Sequence, residues 1–146
     1  MTAAGWIVDT NVVSELRKPR CHPNVLAWSR KHGASPLFVS CVTFAEIRAG
    51  IEALAEDDAF RHELQEWLDR TLRHWFRGRV LDIDEAVVFA WRAMVDDGKA
   101  RRRTYAQPDL FIAATAATHG LGVVTRNVAD FHQVGIPVVN PWNPPA

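Results

Sequence analysis

Five short, largely apolar runs punctuate the chain without alternating in polarity: Trp6–Val8, Leu37–Val39, Val80–Ile83, Val123–Thr125 and Val138–Val139. Continuous runs of this kind suit strands of a parallel sheet covered on both faces, whereas a half-exposed sheet would alternate. Between them, apolar residues recur at helical spacing over about 12–18, 23–32, 43–55, 58–77, 85–100 and 108–119. Strands that alternate with helices predict an α/β domain of three layers, α/β/α, around a short central parallel sheet. Residues 1–146 are expected to form one domain, with a core over about 6–140 and an extended, Pro-rich tail at 141–146.

Local signals fix some of these elements. Pro108 suits a first helical turn, where its missing N–H is harmless. Gly120 after His119 suits a C-terminal cap in the left-handed region. Over 58–77, Phe60, Leu64, Trp67, Leu68, Leu72, Trp75 and Phe76 form a broad apolar stripe, expected to be core or cover for a partner. Trp28, Trp67, Trp75 and Trp91 all fall on apolar helical faces, which points to packing.

Charge narrows the partners. With 17 basic and 17 acidic residues the chain is neutral, so a polyanion must be met by a local patch. Its apolar runs are too short to span a membrane. Cys21 and Cys41 lack metal-ligand spacing, and no signal sequence precedes the first strand, so a reduced cytoplasmic setting with inert thiols is expected. Histidines 22, 32, 62, 74, 119 and 132 show no pair at metal spacing and are expected to be surface or capping groups.

The first strand ends abruptly on Asp9-Thr10-Asn11. All three side chains can cap a helix, and on this stretch alone a cap is a sufficient account. Yet ligands in open parallel sheets gather at the carboxyl ends of strands, and Asp9 shares that edge with Thr125-Arg126-Asn127. Asp130 reaches the same edge if Val128–Phe131 form a short turn. Asp109 opens a helix directly after Pro108, where a carboxylate also complements the dipole. Glu46 lies beside the apolar stripe of its helix on a flank with Gly50 and Ala53. Small residues there would let another backbone, or the cluster, approach, although a solvated glutamate fits as well.

Taken in order, strand-Asp9-Thr10-Asn11, Glu46 with Gly50, Pro108-Asp109, and strand-Thr125-Arg126-Asn127 with Asp130-Phe131 resemble the PIN-domain ribonucleases. The run "VDTNVVSELRKP" at 8–19 is similar to openings among the VapC-like and FitB-like toxins of toxin–antitoxin pairs. The resemblance spans 7–139, with every acidic position of the pattern filled. It implies that Asp9, Glu46, Asp109 and Asp130 are metal-binding carboxylates and that Thr125 supports them. Asn11 and Asn127 would lie behind these groups. It further implies a sheet in which the first and fourth strands are neighbours.

An all-oxygen donor set without histidine or cysteine suits magnesium or manganese over zinc. The expected reaction is hydrolysis of RNA phosphodiester bonds by metal-activated water, with no covalent nucleophile. RNA would need positive charge, for which Arg101, Arg102, Arg103 and Arg126 are candidates, although a basic run is also an ordinary solvated helix end. The resemblance implies a cognate antitoxin and a homodimer, with Val13, Leu16, Trp28, Leu64 and Trp67 as antitoxin contacts. Two other readings stay open. A haloacid-dehalogenase-like phosphatase would use Asp9 as nucleophile, but position 11 is Asn where that family has Asp. A non-catalytic interaction module would expose Trp67 and Trp75 while the acids merely capped helices.

Overall fold

The computed structural model describes residues 4–32 and 36–144. Five strands form one parallel sheet: β1 (Trp6–Val8), β2 (Leu37–Ser40), β3 (Val80–Leu81), β4 (Gly122–Val124) and β5 (Val138–Val139). Their order is β3-β2-β1-β4-β5, so β1 and β4 are neighbours, with Ile7 opposite Val123 and Val8 opposite Val124. Helices α1 (Thr10–Arg17), α2 (Pro23–Lys31), α3 (Cys41–Glu52), α4 (Ala59–Glu66), α5 (Arg73–Trp75), α6 (Glu85–Ala100), α7 (Gln107–His119) and α8 (Val128–Gln133) complete the fold.

The apolar runs are continuous because the sheet is buried on both faces. Val8 and Val124 point into a core built with Val12, Val25, Phe44, Ile51, Leu68 and Leu72. Ile7 and Val123 point to the opposite side, against Ile112, Ala113, Ala116 and Phe131. Adjacent strand residues thus serve different layers. The alanines of α7 let that helix lie close to the sheet. Gly120 ends it in the left-handed region at φ 66°, as its position after His119 predicts.

Several expected boundaries move, for local reasons. The helix expected at 43–55 begins at Cys41, because the Ser40 hydroxyl accepts from the Val42 N–H at 3.1 Å and caps it. The strand expected over 80–83 stops at Leu81; Asp84 is needed as the cap of α6, accepting from the Val87 N–H at 3.0 Å. Between α4 and α5 the chain takes a π-helical turn at Trp67–Leu72. This wider turn resets the phase of the apolar stripe. Leu68, Leu72 and Phe76 face the core, while Trp75, expected to be packed, is 47% exposed. Trp91 stacks on Phe111 with centroids 5.0 Å apart, and Trp28 packs against the core beneath α2.

The tail is not extended where it is described. The Trp142 N–H donates to Asn140 Oδ1 at 2.9 Å, and Asn24 Nδ2 donates to the Trp142 carbonyl at 2.8 Å. These bonds fold residues 140–143 into a turn against α2; Pro145 and Ala146 lie outside the described residues. Cys21 and Cys41 are half-buried free thiols, and burial pushes Cys21 up from its ordinary value. His22 caps α2 through Nδ1, and His62, His74, His119 and His132 are exposed. No helix among the described residues is long and apolar enough to cross a membrane.

Candidate active site

Asp9 caps a helix and also reaches across to the neighbouring strand end. It caps α1, with Oδ1 accepting from the Thr10 N–H at 2.8 Å. Its other oxygen accepts from the Thr125 hydroxyl at 2.6 Å and lies 3.5 Å from Asn11 Nδ2. The pairing of β1 with β4 makes this possible, because it sets the two strand ends side by side. Asp9 is only 3% exposed, and burial raises its pKa against the opposing pull of the Thr125 and Thr10 hydrogen bonds.

A polar layer fixes these groups in turn. Thr125 Oγ1 accepts from the Asn127 N–H at 3.0 Å, so Asn127 supports the site through its main chain. Asn11 Nδ2 donates to Thr125 Oγ1 at 3.3 Å, and Asn11 Oδ1 accepts from the Arg126 N–H at 3.3 Å. Glu46 joins from α3, its Oε1 accepting from the Thr10 hydroxyl at 2.8 Å, and Thr43 Oγ1 lies 3.3 Å from the same hydroxyl. Thr10 thus ties Glu46 to the residue next to Asp9. Its place between Asp9 and Asn11 was the only sequence signal for it, and it reads first as part of a cap.

Asp109 sits in the first turn of α7 and lines a small recess with Tyr105 and Asp130. Burial raises its carboxyl first, and the charges of Asp9, Glu46 and Asp130 add to the effect, reaching about 6. Burial also raises Glu46, partly offset by Thr10, with Asp9 contributing. All four carboxylates from the sequence therefore share one electrostatic neighbourhood. Asp130 is delivered by α8, the short turn expected at 128–131.

Among the described residues, no three His, Cys, Asp or Glu side chains stand close enough to hold an ion unaided. Magnesium suits such a looser set, since it retains several waters and takes one or two carboxylates directly. The donor chemistry fits: oxygen only, at least two carboxylates half-buried, and an unfavourable concentration of negative charge that a divalent cation would relieve.

The basic candidates separate. Arg101, Arg102 and Arg103 are exposed in the link from α6 to α7, where Arg101 pairs with Asp97 at 3.3 Å. Arg126 lies directly beside Thr125, its guanidinium 4.2 Å above the Trp142 ring centroid.

Gly50 plays no close-packing role, contrary to the expectation from its small size. A Cβ there would meet nothing within 4 Å. It borders an open groove of about 230 Å³ lined by Thr10, Arg17, Glu46, Ile51, Leu64 and Trp67. Of the expected partner contacts, Leu64 and Trp67 line this groove. Val13 is buried at 2% exposure and inaccessible to a partner, because the same helix face that looked apolar is the one packed on the sheet.

Known proteins resemble this chain in sequence and fold. The profile of the PIN domain matches residues 6–137. Toxin FitB of Neisseria gonorrhoeae is 34% identical over 137 residues, covering 94% of this chain and 98% of that protein. The VapC ribonuclease Y4jK of Sinorhizobium fredii is 33% identical over 138 residues, covering 94% of this chain and 98% of that protein. The crystal structure of FitAcB from Neisseria gonorrhoeae matches with a TM-score of 0.86 at 33% identity, covering 94% of this chain and 99% of that chain.

Proposed function

The chain belongs to the PIN-domain family, and on that premise we propose that it is a metal-dependent endoribonuclease and the toxin of a toxin–antitoxin pair. The observation that carries this reading is the gathering of Asp9, Glu46, Asp109 and Asp130 at one edge of the sheet. Asp9 and Glu46 are tied through Thr10, and Asp109 is raised to about 6 by burial first and then by the charges of the other three. Like-charge crowding of this kind costs stability and clusters at functional sites.

Asp9, Glu46, Asp109 and Asp130 would hold magnesium or manganese, one or two of them directly and the others through the ion's waters. When bound, such an ion supplies Lewis acidity toward a phosphodiester oxygen and acidifies water. The chain's own contribution is position. Thr125 and the Thr10 N–H fix both oxygens of Asp9, and the Thr10 hydroxyl fixes Glu46. Asn11 locks Thr125 and the Arg126 main chain into one frame. A site held this rigidly loses little order when substrate arrives.

The same geometry argues against the phosphatase reading. The residue two places on, where that family has Asp, is Asn11, and its amide is engaged with Thr125 Oγ1 and the Arg126 N–H.

A ribonuclease acting in its own cytoplasm needs control, and the name of the relative FitB is that of a toxin. The open groove at Gly50 supports an antitoxin partner: Leu64 and Trp67 offer apolar surface, while Arg17 and Glu46 supply one charge of each sign. An antitoxin segment seated there would end beside Glu46 and the metal ligands. A homodimer is part of the same reading.

The test is cleavage of labelled single-stranded and transfer RNA by the purified protein. Manganese-dependent cleavage, lost in chelator and lowered by orders of magnitude in Asp9→Asn and Asp109→Asn, supports the reading. Cleavage that survives excess chelator, or that the variants retain, removes it.

A further inference from the structure

The C-terminal turn makes a contact that the catalytic account does not use. Arg126 stacks on the Trp142 indole at 4.2 Å, and Trp142 is itself tightly held. Its main-chain N–H donates to Asn140 Oδ1, its carbonyl accepts from Asn24, and its ring packs against the core. At its other end, Arg126 is fixed by the bond from its main-chain N–H to Asn11 Oδ1. Between two such anchors an exposed arginine loses much of its rotamer freedom.

The mode of anchoring matters. A guanidinium paired with a carboxylate spends its N–H donors and its charge, as Arg101 does on Asp97 and Arg92 on Asp96. Arg126 has no carboxylate within ion-pair distance among the described residues. Its guanidinium carbon sits over the indole ring, and among the described residues its side chain donates to no protein acceptor, so its N–H groups stay available for the bidentate geometry that phosphate prefers. An unpaired arginine one residue from Thr125, beside an acidic cluster, is where a polyanionic substrate would need its first favourable contact.

We propose that Trp142 is a positioning residue, whose indole presents Arg126 as a phosphate clamp for RNA at the rim of the carboxylate cluster. This rests on the ribonuclease reading and extends the substrate apparatus to the Asn140–Trp142 turn. It also ranks the basic residues: Arg126 is preorganised, while Arg101–Arg103 are not.

The test is affinity for a fluorescent single-stranded RNA, measured by anisotropy in chelator in the Asp109→Asn background, which stops cleavage. Arg126→Ala is expected to weaken binding roughly tenfold and to reduce the salt slope by about 0.7, one phosphate contact on a single strand. Trp142→Leu keeps apolar packing without a π face and is expected to weaken binding roughly three- to tenfold. Trp142→Phe should restore most of the loss. In the Arg126→Ala background, Trp142→Leu should have no further effect, which a purely structural role for Trp142 would not produce.

Equal losses from Trp142→Leu in both backgrounds, or no loss in either, overturn the assignment while leaving the ribonuclease reading intact. If the parent protein shows no salt-dependent RNA binding, the assignment falls together with that reading.

Discussion

Thr125 and Asp9 stand 116 positions apart in sequence, and the threonine hydroxyl donates to the aspartate at 2.6 Å in a buried setting. The bond joins the ends of adjacent parallel strands. It stabilises the charged form of Asp9 against a burial that otherwise favours the neutral one.

Removing the hydroxyl tests that balance. Thr125→Val keeps the shape but leaves Asp9 Oδ2 without its shortest donor and the Asn127 N–H without its acceptor, which should cost about 1–3 kcal/mol near neutral pH, the Asp9 share alone varying with pH. The loss should shrink as pH falls and Asp9 takes up a proton, because the neutral carboxyl no longer needs the donor. Thr125→Ser should recover most of it. Urea midpoints for the three proteins at neutral and acidic pH check this; an equal loss at both would detach the bond from Asp9 ionisation.

Asp109 predicts a pH dependence of its own. Its folded-state value is raised from 3.8 to about 6, so the folded chain binds more protons than the unfolded chain between those values. Stability from this group is fully present below 3.8 and is lost as pH rises through about 6. Glu46 and Asp9 are raised too and act with the same sign. In chelator, Asp109→Asn lacks this penalty. Its melting temperature should therefore equal that of the wild type near pH 4 and exceed it by a margin that is complete above about pH 6.5. A margin independent of pH would contradict the assignment.

Two helical glycines should respond oppositely to alanine. At Gly50 the added methyl meets nothing within 4 Å, so Gly50→Ala should gain up to about 1 kcal/mol from helix propensity. At Gly98 the same methyl would stand 2.9 Å from Tyr105 Cε2 and 3.1 Å from the Arg103 carbonyl oxygen. There the clash should outweigh the propensity gain and cost about 1–3 kcal/mol. Denaturant unfolding of both variants checks the pair; matching signs would mean that the chain around Gly98 yields to the methyl.

The contrast shows where sequence was legible. The double burial of the sheet could be read from its continuous apolar runs, whereas the pairing of the first and fourth strands and the set of four carboxylates came from the resemblance to the PIN-domain ribonucleases. Asp109 was marked by Pro108, and Asp130 by its distance from Thr125. Features set by three-dimensional partners escaped. Gly50 and Gly98 look alike in sequence, and only the neighbour across the gap tells them apart. The π-helical turn at Trp67–Leu72 moves Trp75 out of the core, although a helical wheel places it with Leu68 and Leu72. Trp142 looked like part of an extended Pro-rich tail, because nothing local records that Asn24 and Arg126 are waiting for it. At Asp9 the cap is made by one oxygen, while the other accepts from Thr125, a partner that the local sequence does not record.

The central claim is that these carboxylates are brought together, at a cost in charge repulsion, to hold a divalent cation. The most direct measurement is the melting temperature at pH 7.5 of wild type and Asp109→Asn, each in chelator and in manganese. Manganese should raise the wild-type melting temperature in proportion to the logarithm of its concentration. Asp109→Asn should melt higher than wild type in chelator and gain little from manganese. A wild type that ignores manganese, or a variant that gains as much as the wild type, would contradict the account.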